Sequence, residues 1–177
     1  MVFWEHGYDG ASLSRLQAAT GVSASALYRA FSSKEHLFKL SVRRYQERHG
    51  FSIRADIPFA AAVREYLERA AREFTTDPGR GCLISTGLLA TGPDATVATV
   101  ATAVVRAERE HAPAMLRKRV RLGVEHAELP GETDIEGLAR TLAALIQGMS
   151  VQARDGASHD ALIALAGTAE HALPPCP

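Results

Sequence analysis

The residues best suited to chemistry lie between Ser12 and Phe31. Four small residues, Ser23, Ala24, Ser25 and Ala26, open a short helical pattern. A helix end built from small side chains can approach base edges closely. Seryl hydroxyls donate or accept hydrogen bonds there, and alanyl methyls meet the methyl of thymine. Arg29 carries the planar fork that reads guanine bidentately, with a phosphate or solvent as its other destinations. Tyr28 can direct its hydroxyl to a phosphate. Lys34 and Ser12 stand at helix starts, where main-chain amides attract anions. Together these groups have the chemistry of double-stranded DNA recognition.

Other candidate chemistry is weaker. Cys82 opens a helical pattern, where a thiol pKa can fall, but a small packed residue is the preferred reading. The seven histidines form neither a His-Glu-x-x-His motif nor a Cys/His cluster, so no metal site is expected. There is no Gly-x-Ser-x-Gly, Walker loop or dinucleotide fingerprint, so neither catalysis nor a cofactor is expected. Arg117, Lys118, Arg119 and Arg121 read as the wet face of an amphipathic helix, opposite Met115, Leu116 and Val120, rather than as a second nucleic-acid patch.

The elements that position these groups all read as helices. Ser12 caps a segment carrying Leu13, Leu16 and Ala19, which Gly21 ends in a left-handed turn. Ser23 caps a second segment with Leu27 and Phe31. Two helices this short cannot cover their own apolar face, so Leu13, Leu16, Val22, Leu27 and Phe31 require flanking helices. That arrangement is a helix-turn-helix, whose second helix enters the major groove. Ser32 with Glu35 reads as a capping box opening a longer helix with Leu37, Phe38, Val42 and Tyr45, stopped by Gly50.

Beyond Gly50, Pro58 suits a first turn leading into Phe59, Val63, Tyr66, Leu67, Ala70 and Phe74 at helical spacing. Residues 75–81 read as a loop, and Cys82 to Leu89 as a helix. Residues 95–128 are helical in pattern, with a kink or a break into two helices expected at Pro113. Thr133 with Glu136 reads as a second capping box, starting a helix with Leu138, Leu142, Leu145, Ile146 and Met149. Ser158 caps the last helix, with Leu162, Ile163, Leu165 and Ala166.

The chain of 177 residues carries 20 Lys and Arg against 20 Asp and Glu. Up to Gly50 there are seven basic residues against four acidic, a net +3; the remainder has thirteen against sixteen, a net −3. A basic module on a mildly acidic body fits a nucleic-acid reader joined to a regulatory body. Hydrophobic content of 46% excludes wholesale disorder. The most apolar stretch is broken by Gly92-Pro93-Asp94 and falls short of the roughly 18 apolar residues of a membrane span. With no secretory leader pattern and two distant cysteines, a cytoplasmic protein without membrane contact is expected.

Gly7-Tyr8, Ser12-Leu13, Gly21-Val22-Ser23, Leu27-Tyr28, Phe31 and the run Ser33-Lys34-Glu35 through Leu37-Phe38 closely resemble the DNA-binding module of TetR-type transcriptional regulators. More loosely, Gly81-Cys82-Leu83, Glu128-Leu129-Pro130, Asp134 and Gly148 through Ser158 are similar to one of that family's regulatory-domain types. The resemblance implies an all-α homodimer. Its three-helix helix-turn-helix module (residues 1–50, motif 12–31) would precede a helical ligand-binding and dimerisation domain (residues 51–177). It further implies a repressor that holds a palindromic operator until a small-molecule effector enters the body. Members usually carry a longer first helix, often after a basic arm. Here six residues precede Gly7, so either the start is misplaced or the first helix is short, and a short one would leave Leu16 and Leu37 with less apolar cover.

The stripe including Tyr66, Phe74, Thr86 and Val100 could line an apolar effector cavity or simply be core, since cavities in helical bodies are made from core faces. The last two helices mix small residues with large apolar ones. Leu142, Leu145, Met149, Leu162 and Leu165 are the expected face of a symmetric four-helix dimer contact. The alternative reading is a dimeric helical protein that binds a ligand or another protein and has lost DNA binding.

Overall fold

The glycine before Tyr8 sets the geometry of the first helices. Gly7 has φ 68° and ψ −177°, a region that L side chains almost never adopt, and it kinks α1 (Val2–Gly10). The kink leaves Phe3, Trp4 and Tyr8 all buried. The computed structural model describes residues 2–76, 81–86 and 98–174, with side chains from residue 102 in the last stretch. Among the described residues all regular structure is helical.

After α1 come α2 (Leu13–Thr20), α3 (Ala24–Phe31), α4 (Lys34–His49), α5 (Phe59–Thr75), α6 (Leu83–Thr86), α7 (Ala98–Glu125), α8 (Ile135–Arg154) and α9 (His159–His171). They divide into two compact units. The first comprises Met1–Gly50 with Cys82–Arg109, and the second Phe51–Gly81 with Glu110–Pro177. The expected loop at 77–80, the end of the helix after Thr86 and the start of the 95–128 pattern lie outside the described residues. The helix that remains, α7, is continuous through Pro113 rather than split in two. Pro113 removes only one backbone donor, and the flanking turns keep theirs.

In the first unit, Leu16 of α2 and Leu27 of α3 are buried, whereas Leu13 and Phe31 are half-buried. Val22 is 43% exposed and stays outside the core, contrary to expectation; it sits in the turn between the helices rather than on either apolar stripe. The bulk of the core comes from α1 and α4. Phe38 meets Phe3 and Tyr8 edge-on, each at 5.1 Å between centroids, and Trp4 meets Tyr45 edge-on at 5.0 Å. Such pairs are each worth about 0.5–1.5 kcal/mol beyond burial. Leu16 is well covered at 6% exposure. Leu37 is half-buried and lines an open cleft of about 460 Å³ with Phe3, Trp4, Leu40 and Tyr45. Arg109 closes the end of α6, donating to the Ile84 and Ser85 carbonyls at 2.9 and 2.7 Å.

In the second unit, α5 packs against α8 and α9. Phe59, Val63, Tyr66, Leu67, Ala70 and Phe74 are all buried, as their spacing predicts. Arg119 departs from expectation: it is 3% exposed, not on a wet face. Its guanidinium donates to the carbonyls of Arg54 and Ile57 at 2.9 Å and to Glu128 at 2.8 Å, and it lies 5.1 Å from the Phe59 ring centre. A buried cation is tolerable because Nε and one terminal nitrogen have fixed acceptors, a carboxylate among them. The neighbouring Arg117 does face water, bonded to Glu136.

Replacing Gly7 by alanine places a side chain where φ and ψ exclude one, at a cost of about 1–3 kcal/mol. Thermal or urea unfolding of Gly7→Ala is expected to show that loss. Stability equal to the parent would mean that the kink is not a constraint on this chain.

Candidate nucleic-acid interface

Local side-chain caps set where α2, α3 and α4 begin. Ser12 Oγ accepts from the Arg15 amide at 3.3 Å and starts α2. Gly21, at φ 72°, ends α2 by donating to the Gln17 carbonyl at 2.8 Å. Ser23 Oγ then accepts from the Ala26 amide at 3.3 Å and starts α3. The third start is one residue later than the capping-box reading. Ser32 has φ 64°, and Ser33, in extended geometry, accepts from the His36 amide at 3.1 Å. Glu35 is drawn to Tyr8 instead, whose hydroxyl donates to it at 2.9 Å.

This scaffold leaves the candidate DNA residues accessible. Ser12, Ser23, Ser25 and Arg29 are exposed, as is Tyr28 at 45%. Ala24, Ala26 and Lys34 are half-buried. Ser23 and Ser25 pair through their hydroxyls at 3.0 Å, so the start of α3 presents a linked pair rather than two independent donors. Among the described residues no ion pair engages Arg29. Arg15, not singled out from sequence, adds an exposed cation at the start of α2, with one guanidinium nitrogen on the Gly10 carbonyl at 2.7 Å.

Lys34 is held differently from the rest. Its ammonium lies 4.6 Å from the centre of the Tyr8 ring and 3.5 Å from the Asp9 carbonyl. Burial draws its pKa below the ordinary lysine value, opposed by Asp9 and Glu35. Hydrogen bonds from the Ser33 hydroxyl, its own backbone amide and Tyr8 hold the Glu35 carboxyl below its ordinary value. Burial, reinforced by the bond to Glu35, pushes the Tyr8 phenol up. Tyr8 is visible in the sequence only as half of a Gly-Tyr pair; its role depends on a contact with residues 26 and 27 positions later.

The remaining candidates lie elsewhere. Tyr66 and Phe74 are buried along α5 in the second unit, with Tyr66 against Phe51 at 5.1 Å. Thr86 is buried in the first unit, where its hydroxyl donates to the Cys82 carbonyl at 2.8 Å. The Val100 side chain lies outside the described ones. Leu142, Met149 and Leu162 are buried in the second unit, where α5 packs against α8 and α9. Leu145 and Leu165 retain exposed surface, near exposed Ala144, Val151, Ala161 and Ala164. Thr133 does not cap α8. Asp134 does so, accepting from the Gly137 amide at 2.9 Å, and Glu136 turns to Arg117 and Arg140. Cys82 is half-buried. Among the described residues no His, Cys, Asp or Glu cluster could hold a metal ion, and no helix is long and apolar enough to cross a membrane.

Comparison with known proteins agrees with this geometry. The sequence model for "Bacterial regulatory proteins, tetR family" matches residues 1–40. The chain is 33% identical over 175 residues to the HTH-type transcriptional repressor ComR of Escherichia coli (strain K12), spanning 94% of this chain and 81% of ComR. It superimposes with a TM-score of 0.88 and 33% identity on a cysteine mutant of the TetR family transcriptional regulator CifR complexed with 26-bp double-strand operator DNA. That match covers 98% of this chain and 91% of the other. A TetR transcriptional regulator from Chloroflexus aurantiacus shares the fold, with a TM-score of 0.77 at 24% identity over 96% and 87% of the two chains. A helix-turn-helix capped at each start, with its small and basic residues turned to solvent and a relative aligned over nearly its whole length, places this chain in the TetR family of DNA-binding transcriptional regulators.

Proposed function

We propose that the protein is a cytoplasmic, homodimeric repressor and not an enzyme. Residues 1–50 form its DNA-binding domain, and residues 51–177 its regulatory and dimerisation domain. In this reading α3 enters the major groove of a palindromic operator. Ser23, Ala24, Ser25 and Ala26 approach the base edges and Arg29 reads a guanine, while Ser12, Tyr28 and Lys34 fix the phosphates. The observation that carries it is the outward face of α3, with Ser25, Tyr28 and Arg29 all exposed between two further helix starts at Ser12 and Lys34. The operator complex of the CifR mutant supports the same mode of binding.

A dimer would set two copies of α3 about 34–36 Å apart, or a multiple of it, to match successive turns of the duplex. The half-exposed Leu145 and Leu165, with Val151 and the exposed alanines of α8 and α9, supply an apolar face for that contact. An apolar or amphipathic effector would enter the body near Tyr66 and Phe74. It would release DNA by binding the non-operator conformation more tightly.

Selection of duplexes from a random pool tests the reading as a whole. It is expected to enrich a palindrome, and recovery of no enriched sequence would leave a helical ligand-binding protein without an operator. Lys34→Ala is expected to weaken binding to every duplex and to reduce the slope of log affinity against log salt by about one. Arg29→Ala is expected to relax discrimination at one base pair per half-site by roughly 1–3 kcal/mol, read by competition with singly substituted operators. Discrimination unchanged at all positions would remove Arg29 as a reader. Leu145→Arg is expected to sediment as a monomer; a persistent dimer would place the interface elsewhere.

A further inference from the structure

A lysine that meets a phosphate ordinarily does so from a long, freely rotating stem. Lys34 does not have that freedom. Its ammonium rests on one face of the Tyr8 ring and reaches the Asp9 carbonyl, so two features of α1 locate the charge at the start of α4. The ring is itself immobile. Tyr8 is 1% exposed, its plane is set by edge contact with Phe38 at 5.1 Å, and its hydroxyl is tied to Glu35 at 2.9 Å. An ammonium has three donors. The Asp9 carbonyl takes one, the ring face attracts the charge as a whole, and the residue keeps part of its surface in solvent. The acidic groups acting on Lys34 are Asp9 and Glu35, and Glu35 is engaged by Tyr8 and Ser33.

We infer that Tyr8 is a positioning residue for DNA binding: its ring holds the Lys34 ammonium in place for a backbone phosphate before DNA arrives. The inference rests on the reading of Lys34 as a phosphate contact. It adds that the affinity contributed by Lys34 depends on a side chain that touches no DNA. Cation–π contacts of this kind correspond to about two- to five-fold in an equilibrium. Preorganisation raises affinity by reducing the rotamer freedom lost on binding.

The test is a double-mutant cycle on the full chain with a short random-sequence duplex, measured over a range of salt. Lys34→Met keeps the apolar stem and is expected to lower the salt slope by about one. Tyr8→Leu is expected to weaken binding about two- to five-fold in the parent and not at all in the Lys34→Met background, while Tyr8→Phe, which keeps the ring face, retains the salt slope. An equal loss from Tyr8→Leu in both backgrounds would mean that Tyr8 acts only through the fold, and would overturn the inference. An unchanged slope in Lys34→Met would instead overturn the phosphate contact beneath it. If Tyr8→Leu does not fold, NMR of the parent decides. The Lys34 ε-methylene protons are expected to be shifted upfield by the Tyr8 ring and to stay shifted in Tyr8→Phe; unshifted protons would overturn the inference.

Discussion

Two helices of eight residues each cannot bury enough surface to hold themselves, and the first unit is organised around that shortage. In the described structure α2 and α3 bury one large side chain apiece, Leu16 and Leu27. Much of the rest of the core comes from aromatic residues of α1 and α4, meeting where Phe38 packs against Phe3 and Tyr8, and Val42, Leu83, Ile84 and Val105 complete it. The helix that would touch DNA is thus held by one face and free on the other, because its neighbours supply the apolar area it lacks. The turn at Gly21 and the caps at Ser12 and Ser23 then fix its direction at little cost in burial.

Much of this was legible in the sequence, because it depends on local chemistry. Ser12, Gly21, Ser23, Gly50 and Ser158 mark helix ends whose partners lie within a few residues, and the apolar spacing of α5 maps directly onto burial. The misreadings have a common cause. Ser32 and Thr133 were the box residues expected to cap, because a glutamate follows each three positions later. In the fold Glu35 is drawn to Tyr8 and Glu136 to Arg117, and the cap moves to the next residue. Arg119 belongs to the same class. Two of its acceptors are carbonyls 62 and 65 positions away and the third, Glu128, lies past the end of its helix, so helical spacing does not signal that it is buried. The spacing of Leu142, Met149 and Leu162 identified an apolar stripe, and all three are buried in the second unit, where α5 packs against α8 and α9.

Within the first unit, the groups suited to reading bases and the groups suited to holding phosphates stand on different supports. Ser25 and Arg29 project from α3 into solvent, whereas Lys34 is braced by α1 through Tyr8 and Asp9. The two tasks differ physically: phosphate contacts supply affinity and register without regard to sequence, while base contacts discriminate. Charge follows the same division, with the net +3 of residues 1–50 concentrated in the part of the chain that carries both.

The exposure of the outward face of α3 has an evolutionary consequence. Ser25 and Arg29 contribute little to the packing that stabilises the unit, and the brace on Lys34 does not pass through them. Substitutions there can accumulate without unfolding the module or loosening its hold on the duplex backbone. With α3 as the proposed reader of bases, a lineage built on this scaffold can drift from one set of target promoters to another through intermediates that still fold and still bind DNA.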